Sequence, residues 1–439
     1  MLKKYEPLIL KAFVFLIPYN LGAGFYEGTR IIFASDIFLF LLIAAWLVET
    51  NGFQKGRLYT VGAFRPALYM IGWSVFGVLF AISQIIGGMA LFWEIKAFIF
   101  YLYVTNKVIT RERLRILVDY LLIGIGIQGI IGLAQKIKGG PLGLDRLGES
   151  MDVMISDISR VVGTHFGPNR YGAHLILLLP LAISLFIFVK TRKYKYFYGA
   201  ITLVAMGGLF FSLSRSSWAG LVISIFVMVL VLMRRKKLSA KMLKAILVVI
   251  IAILVIGYVF WDIIEQRFER GGDAEDRKLM IDISFMILEA HPIFGVGLNN
   301  YPFHSFHLFP FWHPVHNEYL RIACEAGIPG LIFFLWFLFS ILKEAYRGTK
   351  LKDKYLSAIN LGALGGMIAF LAAVFMGPMY MHYRLKLIFW ILGALAVATK
   401  RIWRIEMIQL QQAKFNNDTT EVHPINETEA TKYFAHRRA

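Results

Sequence analysis

The apolar stretch from Phe197 to Met233 decides the fold, and it reads FYGAITLVAMGGLFFSLSRSSWAGLVISIFVMVLVLM. As one helix it would be about 55 Å long, whereas the hydrocarbon core of a bilayer is roughly 30 Å thick. Its only polar break is Ser212-Leu213-Ser214-Arg215-Ser216-Ser217. The stretch therefore predicts two membrane spans that meet in a tight turn, with Arg215 at a membrane boundary.

Similar apolar runs recur along the whole chain of 439 residues, which is 58% hydrophobic. Its mean hydropathy is +0.61. The runs are too long for barrel strands, and backbone groups in lipid must bond internally, so helices are expected. We predict an all-α, polytopic membrane protein of about 12 transmembrane helices. The predicted spans are 8–25, 31–49, 66–85, 90–106, 115–134, 171–189, 197–213, 216–233, 242–261, 327–342, 356–376 and 384–400.

Every second predicted loop is rich in Lys and Arg, and the short loops between them contain almost none. The run Arg234-Arg235-Lys236-Lys237 belongs to one of the basic loops. Loops rich in Lys and Arg stay on the cytoplasmic side of a membrane. This rule places both termini in the cytoplasm, and it explains most of the net charge of +19 without a nucleic-acid partner. The membrane domain is predicted over 1–404, with long extracytoplasmic loops at 135–170 and 262–326. The second loop lies between helices 9 and 10. A cytoplasmic tail, 405–439, is predicted to form a short helix and then disorder.

Several arginines fall on the predicted outer side, where the same rule disfavours them. Arginine binds phosphate through two parallel hydrogen bonds, so these residues suggest an anionic lipid headgroup or pyrophosphate. Pairing with nearby acids is the alternative, but Arg215 has no acid near it in sequence. Arg170 follows a Gly-Pro-Asn turn, where Asn169 is a candidate N-cap and the helix start favours anions. The candidate residues are Arg170, Arg215, Arg277, Arg321 and Arg384.

The segment Phe311-Trp312-His313-Pro314-Val315-His316-Asn317-Glu318-Tyr319-Leu320-Arg321 gathers polar groups at a membrane edge. Histidine is the usual general base for a sugar hydroxyl, because its pKa lies near neutrality. His316 is therefore a candidate base, and a capping or structural role is the alternative. Two His-x-x-His pairs, His304/His307 and His313/His316, raise the question of zinc. They lack i, i+4 spacing and a third ligand motif, so no metal is expected. The roles of His304, His307 and His313 stay open.

Three motifs together resemble the O-antigen ligase and O-antigen polymerase superfamily of bacterial envelope glycan transferases. They are Ser214-Arg215-Ser216, Arg277 followed by His291-Pro292-Ile293-Phe294-Gly295-Val296-Gly297, and His316-Asn317-Glu318-Tyr319-Leu320 followed by Glu325-Ala326-Gly327-Ile328-Pro329-Gly330. The matched core covers roughly 160–340. Relatives often carry tryptophan shortly after the Arg277 equivalent, whereas this chain has Met280 and Ile281.

The resemblance implies a GT-C-like fold and a glycan carried on polyprenyl (undecaprenyl) pyrophosphate, transferred on the periplasmic face of the bacterial inner membrane. A ligase transfers it to lipid A-core, and a polymerase to a second lipid-linked glycan. The transfer is expected to be metal-independent and inverting, with no cofactor. Arg215 and Arg277 would stabilise the leaving pyrophosphate, and His316 would deprotonate the acceptor hydroxyl. The predicted substrate-binding residues are Arg170, Asn317, Glu318, Arg321 and Arg384.

Three alternatives to a ligase stay open, and one of them is a related enzyme that transfers the glycan to a protein. A polymerase shares the motif set, and only its acceptor differs. A lipid-linked glycan transporter or flippase would also have many spans and phosphate-binding arginines. A transporter would place charges at mid-membrane and on both sides of its access path. The charges here gather at one predicted face, which favours an enzyme over a transporter. Membrane lipids are expected around the helices in either case.

Overall fold

The computed structural model describes residues 2–19, 21–26, 29–50, 52, 58–149, 160–236, 239, 274–309 and 315–418. Helices dominate this part of the chain. In chain order they are α1 Leu2–Leu16, α2 Ala34–Glu49, α3 Phe64–Leu79, α4 Gln84–Lys107, α5 Arg111–Lys138, α6 Pro168–Phe188, α7 Arg192–Phe211, α8 Arg215–Arg234, α9 Ala274–Ala290, α10 Tyr301–Leu308, α11 Glu318–Gly348, α12 Lys354–Ala373 and α13 Tyr383–Asp418.

Six of the described helices are long and apolar enough to cross a membrane: α4, α5, α6, α8, α11, and α12 with the short 3₁₀ turn that follows it. This agrees with a helical, multi-pass membrane protein. The count of about 12 spans is not confirmed and stays a prediction. The predicted span 242–261 lies outside the described residues.

The predicted first span, 8–25, is wrong in its extent. Helix α1 ends at Leu16, and an antiparallel hairpin of β1 (Gly22–Tyr26) and β2 (Thr29–Phe33) follows before α2. Proline disfavours helical backbone in the residue before it, so Pro18 ends the helix early. Glycines at positions 22 and 24 then weaken helix formation further. The hairpin is an exception to the all-α prediction.

The last helix also differs from the prediction, because α13 continues without a break through the predicted boundary at 404 to Asp418. An ion pair of Arg111 with Glu406 joins this extension to the start of α5, with 2.6 Å between Nε and Oε1. The short helix predicted for the tail is thus the end of α13. Residues 419–439 lie outside the described part of the chain.

The core of the bundle is formed where α12 packs between α6 and α8. Glycines of α12 allow the close approach. A Cβ atom at Gly366 would lie 1.9 Å from the carbonyl oxygen of Leu177, and one at Gly362 would lie 2.4 Å from the Cα of Leu181. Close backbone contact through small residues is a common way for membrane helices to associate. This packing fixes the start of α6 relative to the start of α8.

Helix α11 bends sharply at Gly327, where the sequence predicts a break before the next span. Gly327 has φ 70° and ψ 178°, and a Cβ atom there would lie 1.9 Å from the carbonyl oxygen of Ile293. The amide of Ile328 donates to the carbonyl of Pro292 at 2.9 Å. The bend therefore holds the segment that follows α9.

Candidate functional site

The N-terminal ends of α6, α8, α11 and α13 come together at one end of the bundle. At Gly172, in the first turns of α6, a Cβ atom would lie 2.6 Å from Ser217 Oγ and 3.1 Å from Ser214 Cβ, both on the α8 side. The amide of Tyr380, just before α13, donates to Glu318 Oε2 of α11 at 3.0 Å. Helix N-termini carry partial positive charge, so a convergence of four favours negative ligands.

The chain turns between α7 and α8 at the predicted polar break, and this turn carries backbone strain. Leu213 has φ 50°, which is uncommon for a residue with a side chain. Arg160 supports this turn, because its Nε donates to Ser212 O at 3.0 Å and its Nη2 to Leu213 O at 3.2 Å. Arg215 is the first residue of α8 and is half-buried. Strain of this kind is common at functional sites.

Arg160 also connects this turn to the start of α6, since its Nη2 donates to Asn169 Oδ1 at 3.0 Å. The expectation that Asn169 caps α6 is wrong. Gly167 occupies the N-cap position and Pro168 begins the helix. Proline suits the first helical position because it lacks the N–H that would otherwise be unpaired there. Asn169 is left to bond Arg160, a contact that the sequence did not suggest.

The start of α11 carries the predicted base and its neighbours. His316 is exposed, and Asn317 is the N-cap, with its Oδ1 accepting from Leu320 N at 3.0 Å. Glu318 is buried and accepts from Arg321 Nε at 3.0 Å. Arg321, 4% exposed, also pairs with Glu325. These bonds give Glu318 and Arg321 a structural role. Their contribution to substrate binding stays a prediction.

Arg277 lies in the first turns of α9 and is exposed. Met280, one turn later, belongs to a small buried cluster that also contains Val315, the residue before His316. Cys324 of α11 joins the same cluster, and its thiol donates to Ser284 O of α9 at 3.2 Å. Packing of α9 on α11 thus brings the part of α9 that carries Arg277 towards the segment that carries His316.

The start of α13 is anchored from two directions. Tyr383 donates to Asp36 of α2 at 3.0 Å, and Asp36 also pairs with Lys96 of α4 at 2.6 Å. Arg384 Nη1 donates to Pro18 O at 2.7 Å and to Thr164 O at 3.3 Å. Arg384 is therefore held beside the loop that precedes α6.

Three histidines that the sequence analysis did not single out, His165, His174 and His382, lie in the same region as Arg170 and Arg384. The rings of His165 and His174 are 4.8 Å apart. Burial, followed by the charges of Arg384, His174, Arg170 and His382, lowers the pKa of His165 well below its ordinary value. Burial, followed by Arg170, Arg384, Arg321 and Lys386, does the same to the pKa of His382. The sequence contained one signal for this group: His174 lies inside an apolar predicted span, where an ionisable side chain is a functional candidate.

A second group of histidines lies on and beside α10. The rings of His291 and His304 are 5.3 Å apart. Burial, with smaller contributions from His291 and His307, lowers the pKa of His304 to about 4. Across the described residues, no three His, Cys, Asp or Glu side chains are grouped to hold a metal ion. His313, the third histidine of the two His-x-x-His pairs, lies outside the described residues.

A small cavity with several charged side chains in its wall adjoins the start of α11. It has room of about 40 Å³ for water, and Glu94, Arg321, Tyr380 and Lys386 are among the residues that line it. Glu94 pairs with Lys386 and accepts from Tyr380 Oη at 2.9 Å. Buried charges of this kind persist when paired and hydrogen-bonded. The network therefore holds the loop before α13 in place.

The fold and the site together define a multi-pass helical membrane protein with a cationic site where its helices begin. Residues 200–335 match the family model of O-antigen ligases, and this confirms the resemblance to the O-antigen ligase and polymerase superfamily. The matched segment contains Arg215, Arg277 and His316. No curated protein matches the chain. The family supports a glycan transferase of ligase or polymerase type.

Proposed function

We propose that the protein is an O-antigen ligase-like glycosyltransferase. It moves a glycan from polyprenyl (undecaprenyl) pyrophosphate to a hydroxyl of lipid A-core on the periplasmic face of the bacterial inner membrane. The observation that carries this proposal is the family match over 200–335, which includes all three proposed catalytic residues, Arg215, Arg277 and His316. The gathering of four helix N-termini supports it, because Arg215 begins one of these helices, His316 lies two residues before another, and the donor is a diphosphate.

The proposed reaction is a single displacement at the anomeric carbon of the donor glycan. His316 takes the proton of the acceptor hydroxyl while that oxygen forms a bond to the anomeric carbon. The bond from this carbon to the pyrophosphate oxygen breaks, and the electron pair leaves with the pyrophosphate. Arg215 and Arg277 stabilise the negative charge that gathers there. The configuration at the anomeric carbon inverts, and the charge stabilisation needs no metal ion.

The side chains around the proposed base have supporting roles. Asn317 caps α11 and so fixes the backbone that carries His316. Glu318 and Arg321 hold the loop before α13 through Tyr380. Arg170 and Arg384 contribute further positive charge for the phosphate groups of the substrate.

A reconstitution experiment tests the function and separates the ligase from the polymerase. Purified protein in liposomes receives a polyprenyl-pyrophosphate glycan with either lipid A-core or a second lipid-linked glycan. We expect lipid A-core to be elongated, and elongation of the lipid-linked glycan alone would identify a polymerase. Movement of the donor across the bilayer without any transfer would instead identify a flippase.

The same assay tests the proposed base. Replacing His316 with alanine should lower kcat by about 10²–10⁴-fold, the usual contribution of a general base. His307→Ala is the matched control, because it removes an exposed histidine from the same region and should leave the rate unchanged. Transfer at the full rate by His316→Ala would refute the assignment.

A further inference from the structure

The pair His165 and His174 is buried without the hydrogen bonds that imidazoles need. The two side chains are 1% and 0% exposed. His165 Nε2 and both ring nitrogens of His174 have no hydrogen-bond partner among the described residues. A neutral imidazole offers one donor and one acceptor, and buried polar groups are nearly always satisfied. The pair therefore points to an additional occupant, either water or a ligand.

The charges around this pair are cationic. Arg170 lies one turn before His174 on α6, and its charge acts on both His165 and His382. Arg384 acts on the same two histidines. Arg321 and Lys386, which also act on His382, are balanced by paired carboxylates. Arg170 has no such carboxylate in the part of the chain that the structure describes. A half-buried arginine without a paired carboxylate favours a counter-anion.

The geometry suits an anion with several acceptor oxygens. Arg384 is already oriented by the carbonyls of Pro18 and Thr164, so its guanidinium is held in place before any ligand binds. Arg170 stands in the first turn of α6, where backbone N–H groups are free to bond an anion. Three imidazoles can add donors. Phosphate oxygens, which accept several hydrogen bonds each, match this set of donors.

We propose that Arg170, Arg384, His165, His174 and His382 form a buried anion site for the diphosphate group of a lipid-linked substrate. We refer to these five residues as the inner anion site. The proposal deepens the proposed function, because it assigns the histidines to the same substrate class. Burial first, and then the charges of Arg170 and Arg384, lower the pKa of His165 and of His382, and a bound anion would favour the charged forms of both histidines.

Ligand binding to the purified, full-length protein tests this site independently of glycan transfer. The probes are inorganic pyrophosphate, a polyprenyl diphosphate without a glycan, and phosphatidylglycerol, each measured by stabilisation against thermal unfolding. We expect both diphosphates to bind. Arg170→Ala and His174→Gln should each weaken this binding about tenfold or more, as expected when one charge-assisted hydrogen bond is lost. Arg234→Ala, at the opposite end of α8, is the control and should bind normally.

The outcomes separate this site from the proposed catalysis. His316→Ala should still bind diphosphate, so loss of transfer by that variant leaves the inner anion site in place. Unchanged diphosphate binding by both Arg170→Ala and His174→Gln would overturn the proposal. The proposal would also be overturned if these variants lost binding of phosphatidylglycerol but kept binding of the diphosphates, because the site would then hold an ordinary phospholipid headgroup. Arg170→Lys, which keeps the charge, replaces Arg170→Ala if that variant does not fold, and it should bind diphosphate more weakly than the wild type because lysine lacks the bidentate fork.

Discussion

At the scale of single residues, the structure gives each candidate side chain a different setting. Arg215 begins a helix next to the strained Leu213, and His316 is exposed at the start of another helix. Arg321 is enclosed between two carboxylates. The absence of nearby acids in sequence was enough to single out Arg215. Nothing in the sequence showed that Arg321 and Glu318 pair with each other, since an i, i+3 pair forms only once the helix start is known.

Replacing Arg215 with alanine should lower kcat/KM for the lipid-linked donor by about 10²–10³-fold, because one stabilising group for the leaving pyrophosphate is lost. The measurement is the initial rate of transfer in liposomes with donor below its KM. Arg234→Ala removes an arginine from the far end of the same helix and should leave kcat/KM unchanged. Full activity of Arg215→Ala at limiting donor would contradict the role given to this residue.

Because of His304, the free energy of unfolding should decrease as the pH falls. Its pKa is lowered to about 4 in the folded protein, whereas an unfolded histidine titrates near 6.5. Below pH 6.5 the unfolded chain therefore binds a proton that the folded protein does not, and stability falls towards pH 4. The unfolding temperature should decrease over this range, and less so in His304→Asn. An equal decrease in both proteins would assign the effect to other groups.

At the scale of helices and loops, local sequence signals predicted some elements well. The polar break at Ser212–Ser217 located the turn between α7 and α8, and the predicted start of a span at Gly327 coincides with the bend in α11. The sequence analysis missed the strands β1 and β2. An apolar stretch of this length is equally compatible with two strands and with the end of one helical span and the start of the next. Pairing between the strands is a contact that hydropathy does not report.

The bend in α11 gives a test at this scale. Gly327→Ala should destabilise the protein by at least about 2 kcal/mol, because φ is positive and the added methyl group would collide with the carbonyl of Ile293. Gly88→Ala in α4 is the matched control, since nothing lies within 4 Å of its added Cβ, and it should be neutral or slightly stabilising. The free energy of unfolding in a mild denaturant provides the comparison. Equal stability of the two variants would show that the bend tolerates a side chain.

At the scale of the whole molecule, helices α6, α8, α11 and α13 begin together at one end of the bundle, and the outer face that the basic loops predict for this end stays a prediction. The inner anion site could not be predicted in this way. His165 and His174 belong to a loop and to an apolar helix, and they meet Arg384 only because α13 returns to the start of α6. More than 200 residues of chain separate these groups, so only the packing of the bundle brings them together.

The predicted orientation can be tested by labelling introduced cysteines. A cysteine replacing Gly140, after α5, should react with a membrane-impermeant maleimide from the periplasmic side. One replacing Lys352, between α11 and α12, should react only after the inner membrane is opened. A side chain at position 140 would meet nothing within 4 Å, and Lys352 is exposed, so both variants should fold. The reverse pattern of labelling would place the helix starts, and the proposed active face, in the cytoplasm.

The buried thiol of Cys324 has a practical consequence for such work. It is the chain's one cysteine, it is 0% exposed, and its hydrogen atom is directed to the carbonyl of Ser284. Burial also keeps labelling reagents away from its sulfur atom. The natural sequence should therefore give almost no background with fluorophores or spin labels. Pairs of probes on α9 and α11 would then report directly whether these two helices separate during turnover.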